Sequence, residues 1–286
     1  MYVDTIDIRP RLSISDSLMQ RRLLSDTYAT EIVSRIDYPF SQLRVGGGTV
    51  AYLGMRGAHL DGWVSDFIKR NPAPRGCTVV NLACGLDSRA LRLLTIPAAD
   101  DIKVRWIDVD LPEVVELREQ VVPFPPLEAI AGLEYTLLPG SVTNHQFITP
   151  LPNDRPTIIV MEGLSAYLQP EEGQAMISNI CSHFSSTQSS GPVGENEMIF
   201  EAINGFTLAL QGLLGYLKKT EAAVYWGVDD VRSLEKLHEG LVLVEEHPVC
   251  SLEGVVNSPL AGRIFWWLCS WFEVSRNSLR HLRYVF

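Results

Sequence analysis

The stretch "TVVNLACGLDSRALRL", residues 78–93, decides the fold, because a run of β-formers ends in one small-residue turn and a helical pattern follows. The apolar run predicts a buried strand that helices cover on both faces. The turn holds a single glycine, Gly85, where a ligand can approach the backbone closely. The helix that follows presents free N–H groups at its start. We therefore expect a strand–turn–helix unit that binds a ligand at the turn.

Six further apolar runs alternate with helical patterns along the rest of the chain. They lie at 103–110, 133–139, 156–162, 197–203, 241–249 and 279–286. The earlier runs are spaced by roughly 25 residues, which suits parallel strands joined by right-handed helical crossovers. The last two runs alternate in polarity, and we expect one of them to pair antiparallel at an edge. The pattern predicts an α/β fold with a doubly wound, mostly parallel sheet.

Two regions are expected around this sheet. Residues 1–75 should form an N-terminal helical lid packed on the core, and residues 76–286 the ligand-binding domain with an insertion near 205–240. A helix is predicted over 58–70, and the glycine-rich "RVGGGTV" (44–50) before it is expected to be a flexible connector. The tryptophans of the segment "IFWWLCSWF" (264–272), namely Trp266, Trp267 and Trp271, are expected to pack under the last strands.

Composition excludes several classes of protein. A net charge of −10 without a basic cluster argues against nucleic-acid binding. No secretory signal is evident, and the most apolar segment is too short to cross a bilayer. Five cysteines without a CxxC pair indicate reduced thiols, and six histidines without a paired motif give no metal site. We expect a cytoplasmic protein without a metal, nucleic-acid or membrane partner.

Two cofactor classes compete for the turn after the first strand. A dinucleotide needs a GxGxxG pattern, whereas only Gly85 is present here. S-adenosylmethionine has no phosphate and needs one close-approach glycine, together with an acid on the next strand for its ribose hydroxyls. The segment "WIDVDLP" supplies that acid as Asp108 or Asp110. The alternative is that these acids cap the helix that begins at Pro112.

Three segments together resemble the leucine carboxyl methyltransferase family, which includes polyketide O-methyltransferases of the tetracenomycin type. They are "VVNLACGLDSRALRL" (79–93), "WIDVDLPEVVELR" (106–118) and "VMEGLSAYLQPEE" (160–172). The family patterns are N-L-G-A-G-L-D-T-R, E-V-D-x-P and E-G-x-x-x-Y-L. The resemblance implies a class I methyltransferase, Rossmann-like fold with seven strands in the order 3-2-1-4-5-7-6. It also implies S-adenosyl-L-methionine as the cofactor.

The resemblance assigns roles to individual residues. Arg56 in "YLGMRG" matches the arginine that pairs with the methionine carboxylate, a group that a guanidinium binds bidentately. Asp110 matches the ribose-binding acid, and Glu162 matches the acid at the methionine end of the cofactor. The alternatives are a helix-surface arginine for Arg56 and a helix-capping acid for Glu162.

The sequence departs from the family pattern in two places. Ala83 replaces the first glycine of the turn, and it can keep the turn if its φ is negative. Cys84 follows it and is expected to pack against the cofactor, with a reactive thiol as the alternative. Ser141 and Val142 stand where the family has Asp-Leu, so Ser141 would accept weakly from the adenine amino group.

The acceptor is constrained less than the cofactor. A carboxylate acceptor needs no general base, whereas a phenol with a pKa of about 10 would benefit from one. Neither His145 nor His183 stands on a motif that marks a base. Tyr167 is expected to position the substrate, together with the apolar insertion 205–227, whose leucines could equally be core.

The sequence therefore predicts an S-adenosylmethionine-dependent O-methyltransferase for a small apolar or aromatic carboxylic acid, or a phenol, of secondary metabolism. A small-molecule acceptor and a second copy of the chain are the expected partners. One alternative is a protein C-terminal carboxyl methyltransferase. Another is a non-catalytic S-adenosylmethionine-binding protein, which the replacements at Ala83 and Ser141 would suit.

Overall fold

Seven strands form a single sheet in the computed structural model. The residues that it describes are 24, 26–38, 47–94, 102–125, 132–185, 195–211, 223–251, 264, 267–268 and 270–286. The strands are β1 (Cys77–Leu82), β2 (Val104–Asp110), β3 (Leu133–Pro139), β4 (Thr157–Met161), β5 (Glu197–Ile203), β6 (Val242–Pro248) and β7 (Leu279–Val285). Their order is β3-β2-β1-β4-β5-β7-β6, so the predicted class I methyltransferase fold is confirmed.

The first five strands are parallel, and β7 is antiparallel to both of its neighbours, β5 and β6. The expected antiparallel strand is thus present. It lies at an edge as expected, because β6 occupies the edge and pairs antiparallel with β7, which lies inside the sheet. An inserted β7 hydrogen-bonds on both sides, which places its backbone groups in the sheet rather than in solvent.

Helices connect and cover the strands. They are α1 (Tyr28–Ser34), α2 (Gly47–Arg70), α3 (Arg89–Leu94), α4 (Pro112–Val121), α5 (Pro170–Ser185), α6 (Gly205–Ala209) and α7 (Glu273–Arg276). None of the helices in the described part of the chain is both long enough and apolar enough to span a bilayer.

The core lies on both faces of the sheet. On one face α2 packs Leu60, Val64 and Phe67 against buried strand residues such as Val160. On the other face α5 contributes Ile177 and Phe184, among others, to a second apolar cluster. Strand β1 is buried at all six of its positions because it has a helical layer on each side. This arrangement fixes the carboxyl ends of β1, β2 and β4, where ligands bind in such sheets.

Two expectations about local structure are wrong. Gly47 and Gly48 of the predicted connector 44–50 lie in the first turn of α2. The start of that segment, 44–46, lies outside the described residues. The apolar face that α2 buries outweighs the roughly 1 kcal/mol that each helical glycine costs. Trp267 and Trp271 are 55% and 65% exposed rather than packed under the strands, and their rings contact each other at 4.6 Å. The side chain of Trp266 lies outside the described residues.

The predicted lid and insertion fall only partly within the described structure. Residues 1–23 and 212–222 lie outside it, and the lid remains a prediction. The described part of residues 1–75 includes α2, which is an integral layer of the core.

Candidate functional site

The turn after β1 has the backbone of a ligand-binding bend. Both Ala83 and Gly85 adopt left-handed conformations, with φ of 51° and 52°. The condition of a negative φ, under which an alanine keeps this turn without strain, is therefore not met at Ala83. An L-residue in this region costs roughly 1–2 kcal/mol, which the surrounding contacts must offset. The Gly85 N–H donates to Asp110 Oδ2 at 2.6 Å, and Arg118 Nη1 donates to the Gly85 carbonyl at 2.9 Å.

The two acids of β2 have different environments. Asp108 is fully buried and accepts hydrogen bonds from four side chains, those of Asn81, Trp106, Arg118 and Tyr135. Its oxygens are committed to the interior, which excludes Asp108 as the ribose acid. Asp110 lies at the strand end, where its carboxylate accepts from the backbone N–H groups of Gly85 and Leu111. Each carboxylate oxygen can accept a further hydrogen bond, so Asp110 fits two ribose hydroxyls.

The loop after β3 lies beside Asp110. The Gly140 N–H donates to the Asp110 carbonyl at 2.7 Å, which brings Ser141 and Val142 next to the acid. The hydroxyls of Ser141 and Thr143 are 2.8 Å apart and share a hydrogen bond, while Val142 packs at the margin of the core. We call Ala83–Gly85, Asp110 and Gly140–Val142 the Asp110 end of the site.

Arg56 and Glu162 meet on the α2 side of the sheet. Arg56 Nε donates to Glu162 Oε1 at 3.0 Å, and Arg56 Nη1 donates to Glu201 Oε1 at 2.8 Å. All three side chains are buried, so the helix-surface alternative for Arg56 is wrong. Burial alone would lower the pKa of Arg56, but the Glu201 and Glu162 carboxylates raise it well above its usual value. A permanently charged guanidinium therefore stands between two acids.

A larger set of ion pairs continues from Glu162. Arg89 is fully buried and contacts Glu162, Asp61 (2.6 Å) and Asp87 (2.9 Å). Arg92 binds the same two aspartates at 2.6 and 2.8 Å. We call this set the buried ion network; its described members are Asp26, Asp61, Asp87, Glu162, Glu201, Arg56, Arg89 and Arg92. The buried ion network forms the second end of the site, which we call the Arg56 end.

Sequence analysis missed most of this network. Asp61 and Arg89 are 28 residues apart in the chain, and Arg56 and Glu201 are 145 apart. The sequence does contain one signal, the two arginines Arg89 and Arg92 in the short apolar helix α3. Both are buried in the structure. Arginines at such positions are almost never buried unless they are paired.

A histidine cluster adjoins the Arg56 end. Glu201 of β5 is paired with His281 of β7, and His281 is paired with His247 of β6. The three residues therefore form one row across the sheet. His59 of α2 lies over them, and its Nδ1 is 2.7 Å from Nδ1 of His281. Burial, together with His247, lowers the pKa of His59 to about 4, and burial beside His59 lowers the pKa of His281 to about 3. Both imidazoles are neutral near pH 7.

The remaining predicted residues have distinct placements. Tyr167 is half-buried in the short 3₁₀ helix Ser165–Tyr167 that follows Glu162. The Tyr225 N–H donates to the Ala166 carbonyl at 2.7 Å, so the end of the predicted insertion lies beside Tyr167. His145 and His183 bond to Asn179 and to the Leu151 carbonyl, outside the contacts that form the two ends.

Cys84 is a buried thiol. Its exposed fraction is 0%, and burial raises its pKa well above the usual value for a thiol. A neutral, enclosed thiol is a poor nucleophile, which removes the reactive alternative. Packing is the role that this geometry supports.

The site suits a ligand with a sugar at one end and a charged amino-acid group at the other. The left-handed turn and Asp110 fit a nucleoside, and Asp87 and Arg89 follow the same turn into the buried ion network. S-adenosylmethionine has these two ends. Across the described ranges, no group of three or more His, Cys, Asp or Glu residues is arranged to hold a metal ion.

Comparison with known sequences finds close relatives. The leucine carboxyl methyltransferase family matches residues 13–181. The tetracenomycin polyketide synthesis O-methyltransferase TcmP of Streptomyces glaucescens is 33% identical over 81% of this chain and 77% of its own. The S-adenosyl-L-methionine-dependent methyltransferase dpfgK of Gibberella zeae is 30% identical over 77% of this chain and 72% of its own.

Comparison with solved structures finds the same fold at low identity. A protein from Thermobifida fusca superposes with a TM-score of 0.53 at 11% identity, covering 98% of this chain and 94% of that one. A DUF574 family protein from Streptomyces avermitilis gives 0.52 at 11% identity, covering 93% and 95%. These likenesses concern the fold alone.

Proposed function

Because the chain belongs to the leucine carboxyl methyltransferase family, we propose that it methylates an oxygen of a small organic acid or phenol. S-adenosylmethionine is the methyl donor of this enzyme, as its relatives indicate. The observation that carries the proposal is the 2.6 Å contact between the Gly85 N–H and the Asp110 carboxylate. It joins a turn that admits a ligand to the acid suited to ribose hydroxyls.

The chain's contribution to the reaction is to position the reactants. Asp110 would hold the ribose, Ser141 and Val142 the adenine, and Arg56 and Glu162 the carboxylate and ammonium of the methionine group. When bound, S-adenosylmethionine supplies an activated methyl group on a sulfonium. Held by these residues, the donor would be presented in line with the acceptor oxygen. In-line positioning of this kind is worth about 7–11 kcal/mol.

The acceptor is proposed to be apolar or aromatic. Tyr167 lies in the 3₁₀ helix that follows Glu162, Tyr225 contacts the adjacent Ala166 carbonyl, and Phe206 of α6 is 48% exposed. Aromatic side chains of this kind suit a flat acceptor. The name of TcmP, a polyketide O-methyltransferase, supports an acceptor of secondary metabolism for this chain as well. Within residues 1–75, the part before α2 is proposed to form the N-terminal lid over the acceptor, because α2 itself is a layer of the core.

A methyl-transfer assay tests the proposal. The purified protein is incubated with S-adenosylmethionine and a panel of aromatic acids and phenols, and products are identified by mass spectrometry. We expect at least one acid or phenol to gain a methyl group. Asp110→Asn should abolish most turnover, whereas Glu113→Gln, a matched change at an exposed acid of α4, should not.

The outcomes separate the alternatives. Methylation of a peptide C-terminus without methylation of any small acceptor would indicate a protein carboxyl methyltransferase. Tight binding of S-adenosylmethionine without turnover on any acceptor would indicate a binding protein.

A further inference from the structure

Glu162 and Glu201 share one guanidinium at neighbouring strand ends. Met161 and Phe200 are paired between β4 and β5, so the two glutamates that follow them lie side by side. Glu162 accepts from Arg56 at 2.9–3.0 Å and Glu201 accepts from it at 2.8 Å. Their side chains are only 10% and 7% exposed. Sequence analysis singled out Glu162 but gave Glu201 no role.

The cross-strand partner of Glu201 on β7 is an uncharged histidine. This partner, His281, is fully buried, and its Nδ1 atom shares a hydrogen bond with His59. Among the described residues, His281 Nε2 has no hydrogen-bond partner. Burial, with His59 and Arg56 nearby, keeps the imidazole uncharged near pH 7. The charge of Glu201 therefore acts on the Arg56 end with little opposition from this histidine.

We propose that Glu201 is a second acid of the donor site and that it makes the site prefer the cationic methyl donor over its neutral demethylated product. The inference rests on the proposed function, because it assigns the methionine group to the Arg56 end. Glu201 acts here as a specificity-determining residue.

The charges of donor and product supply the physical basis. S-adenosylmethionine carries a sulfonium, an ammonium and a carboxylate, so its net charge is +1. Methyl transfer leaves a neutral thioether, because the electron pair of the broken bond stays on sulfur, and S-adenosylhomocysteine has no net charge. A nearby buried carboxylate interacts in the same way with the ammonium and carboxylate that both ligands carry. The sulfonium charge is therefore the difference that it attracts in the donor, and it does so more strongly than in water. Transfer of the methyl group thus removes an attraction, which assists release of the product.

Ligand binding measures this preference without requiring turnover. Dissociation constants are measured by calorimetry for S-adenosylmethionine, for S-adenosylhomocysteine, and for sinefungin, which carries a protonated amine in place of the sulfonium. In Glu201→Gln, we expect the affinity ratio of either cationic ligand to the neutral one to fall by about threefold or more. Glu201→Asp keeps the charge and should keep most of the ratio.

Glu197→Gln is the matched control. Glu197 lies four residues earlier on β5, is equally buried, and is ion-paired with Arg70 and Arg283 instead of Arg56. Its replacement should leave the ratio unchanged. An unchanged ratio in Glu201→Gln, or an equal fall in Glu197→Gln, would overturn the proposal.

Two further outcomes are decisive. If Glu201→Gln does not fold, as judged by circular dichroism, the affinities of the wild-type protein are the test. Equal affinities for S-adenosylhomocysteine and sinefungin would then overturn the proposed preference. If none of the three ligands binds the folded wild-type protein, the donor assignment fails first. That result is distinguishable from binding without discrimination, in which only the role of Glu201 fails.

Discussion

The two ends of the candidate site differ in what forms them: backbone groups and one acid at the Asp110 end, and charged side chains of α2, α3, β5 and the segments between elements at the Arg56 end. The first depends on the conformation of a short turn, held by the contact of Gly85 with Asp110. The second depends on mutual compensation among buried ions, with Arg89 fully enclosed. A nucleoside needs shape and a few hydrogen bonds, while an amino-acid group needs charges of both signs. The difference predicts that mutations at the two ends will impair stability and ligand binding in different ways.

The largest effect is expected for Arg89→Met, which tests whether the Arg56 end depends on charge compensation. The change leaves Asp61, Asp87 and Glu162 short of a partner, and unfolding free energy should fall by about 3–5 kcal/mol. Urea denaturation measures it. Arg105→Met is the control, because its partners Glu134 and Asp154 are about half exposed, and it should cost at most about 1 kcal/mol. Equal losses in the two variants would contradict the comparison.

The second effect separates the ends by ligand. Arg56→Ala should weaken S-adenosylmethionine binding by about 2–4 kcal/mol but leave methylthioadenosine, which lacks the amino-acid group, nearly unaffected. Asp110→Asn should weaken both ligands by about 1.5–3 kcal/mol, because both keep the ribose. Calorimetry provides the four affinities. The same loss for both ligands in Arg56→Ala would place Arg56 outside the methionine end.

The third effect concerns His281, which borders the Arg56 end between Glu201 and His247 and faces His59, Arg56 and Glu162. Burial lowers its pKa from 6.5 to about 3 in the folded state, so the unfolded chain takes up this proton first as pH falls. Stability should therefore decrease from about pH 6.5 towards pH 3, by up to about 1.4 kcal/mol per pH unit for this proton. Unfolding free energies of His281→Gln should show a shallower slope in this window. Parallel curves would exclude the effect.

The smallest effect tests strain at the Asp110 end. Ala83→Gly should raise the unfolding free energy by about 0.5–1 kcal/mol, because glycine adopts the φ of 51° without the steric cost that alanine bears. Ala90→Gly in α3 is the control and should lower stability by about 1 kcal/mol. A destabilised Ala83→Gly would show that the alanine methyl group packs usefully in the turn.

The fold could be predicted because its signals are local. Each strand is a short apolar run, and each lies within a residue or two of its predicted bounds; β5 matches the predicted range 197–203. The placement of β7 between β5 and β6 could not be predicted from residue patterns, because an inserted strand and an edge strand carry similar alternation. The resemblance to the family supplied that strand order.

The same distinction between local signals and tertiary contacts applies to the residues of the candidate site. Gly85, Asp110 and Glu162 stand on contiguous motifs, so the sequence predicts them as site residues. Arg89 and Glu201 acquire their partners only through tertiary contacts, up to 145 residues apart in the chain. The positive φ of Ala83 was missed because it is imposed by the neighbouring contacts, against the preference of the residue itself.

The insertion of β7 also constrains the order in which the molecule is assembled. Strand β6 precedes β7 in the chain, yet among the described strands β7 is its only neighbour in the sheet, so β6 has no strand to pair with until β7 has been synthesised. Long-range pairings of this kind form late because the entropy cost of closing the intervening loop comes before the contacts form. The row Glu201–His281–His247 thus forms with the final pairing step. A nascent chain arrested before residue 279 should hold the five parallel strands without the histidine cluster that adjoins the Arg56 end.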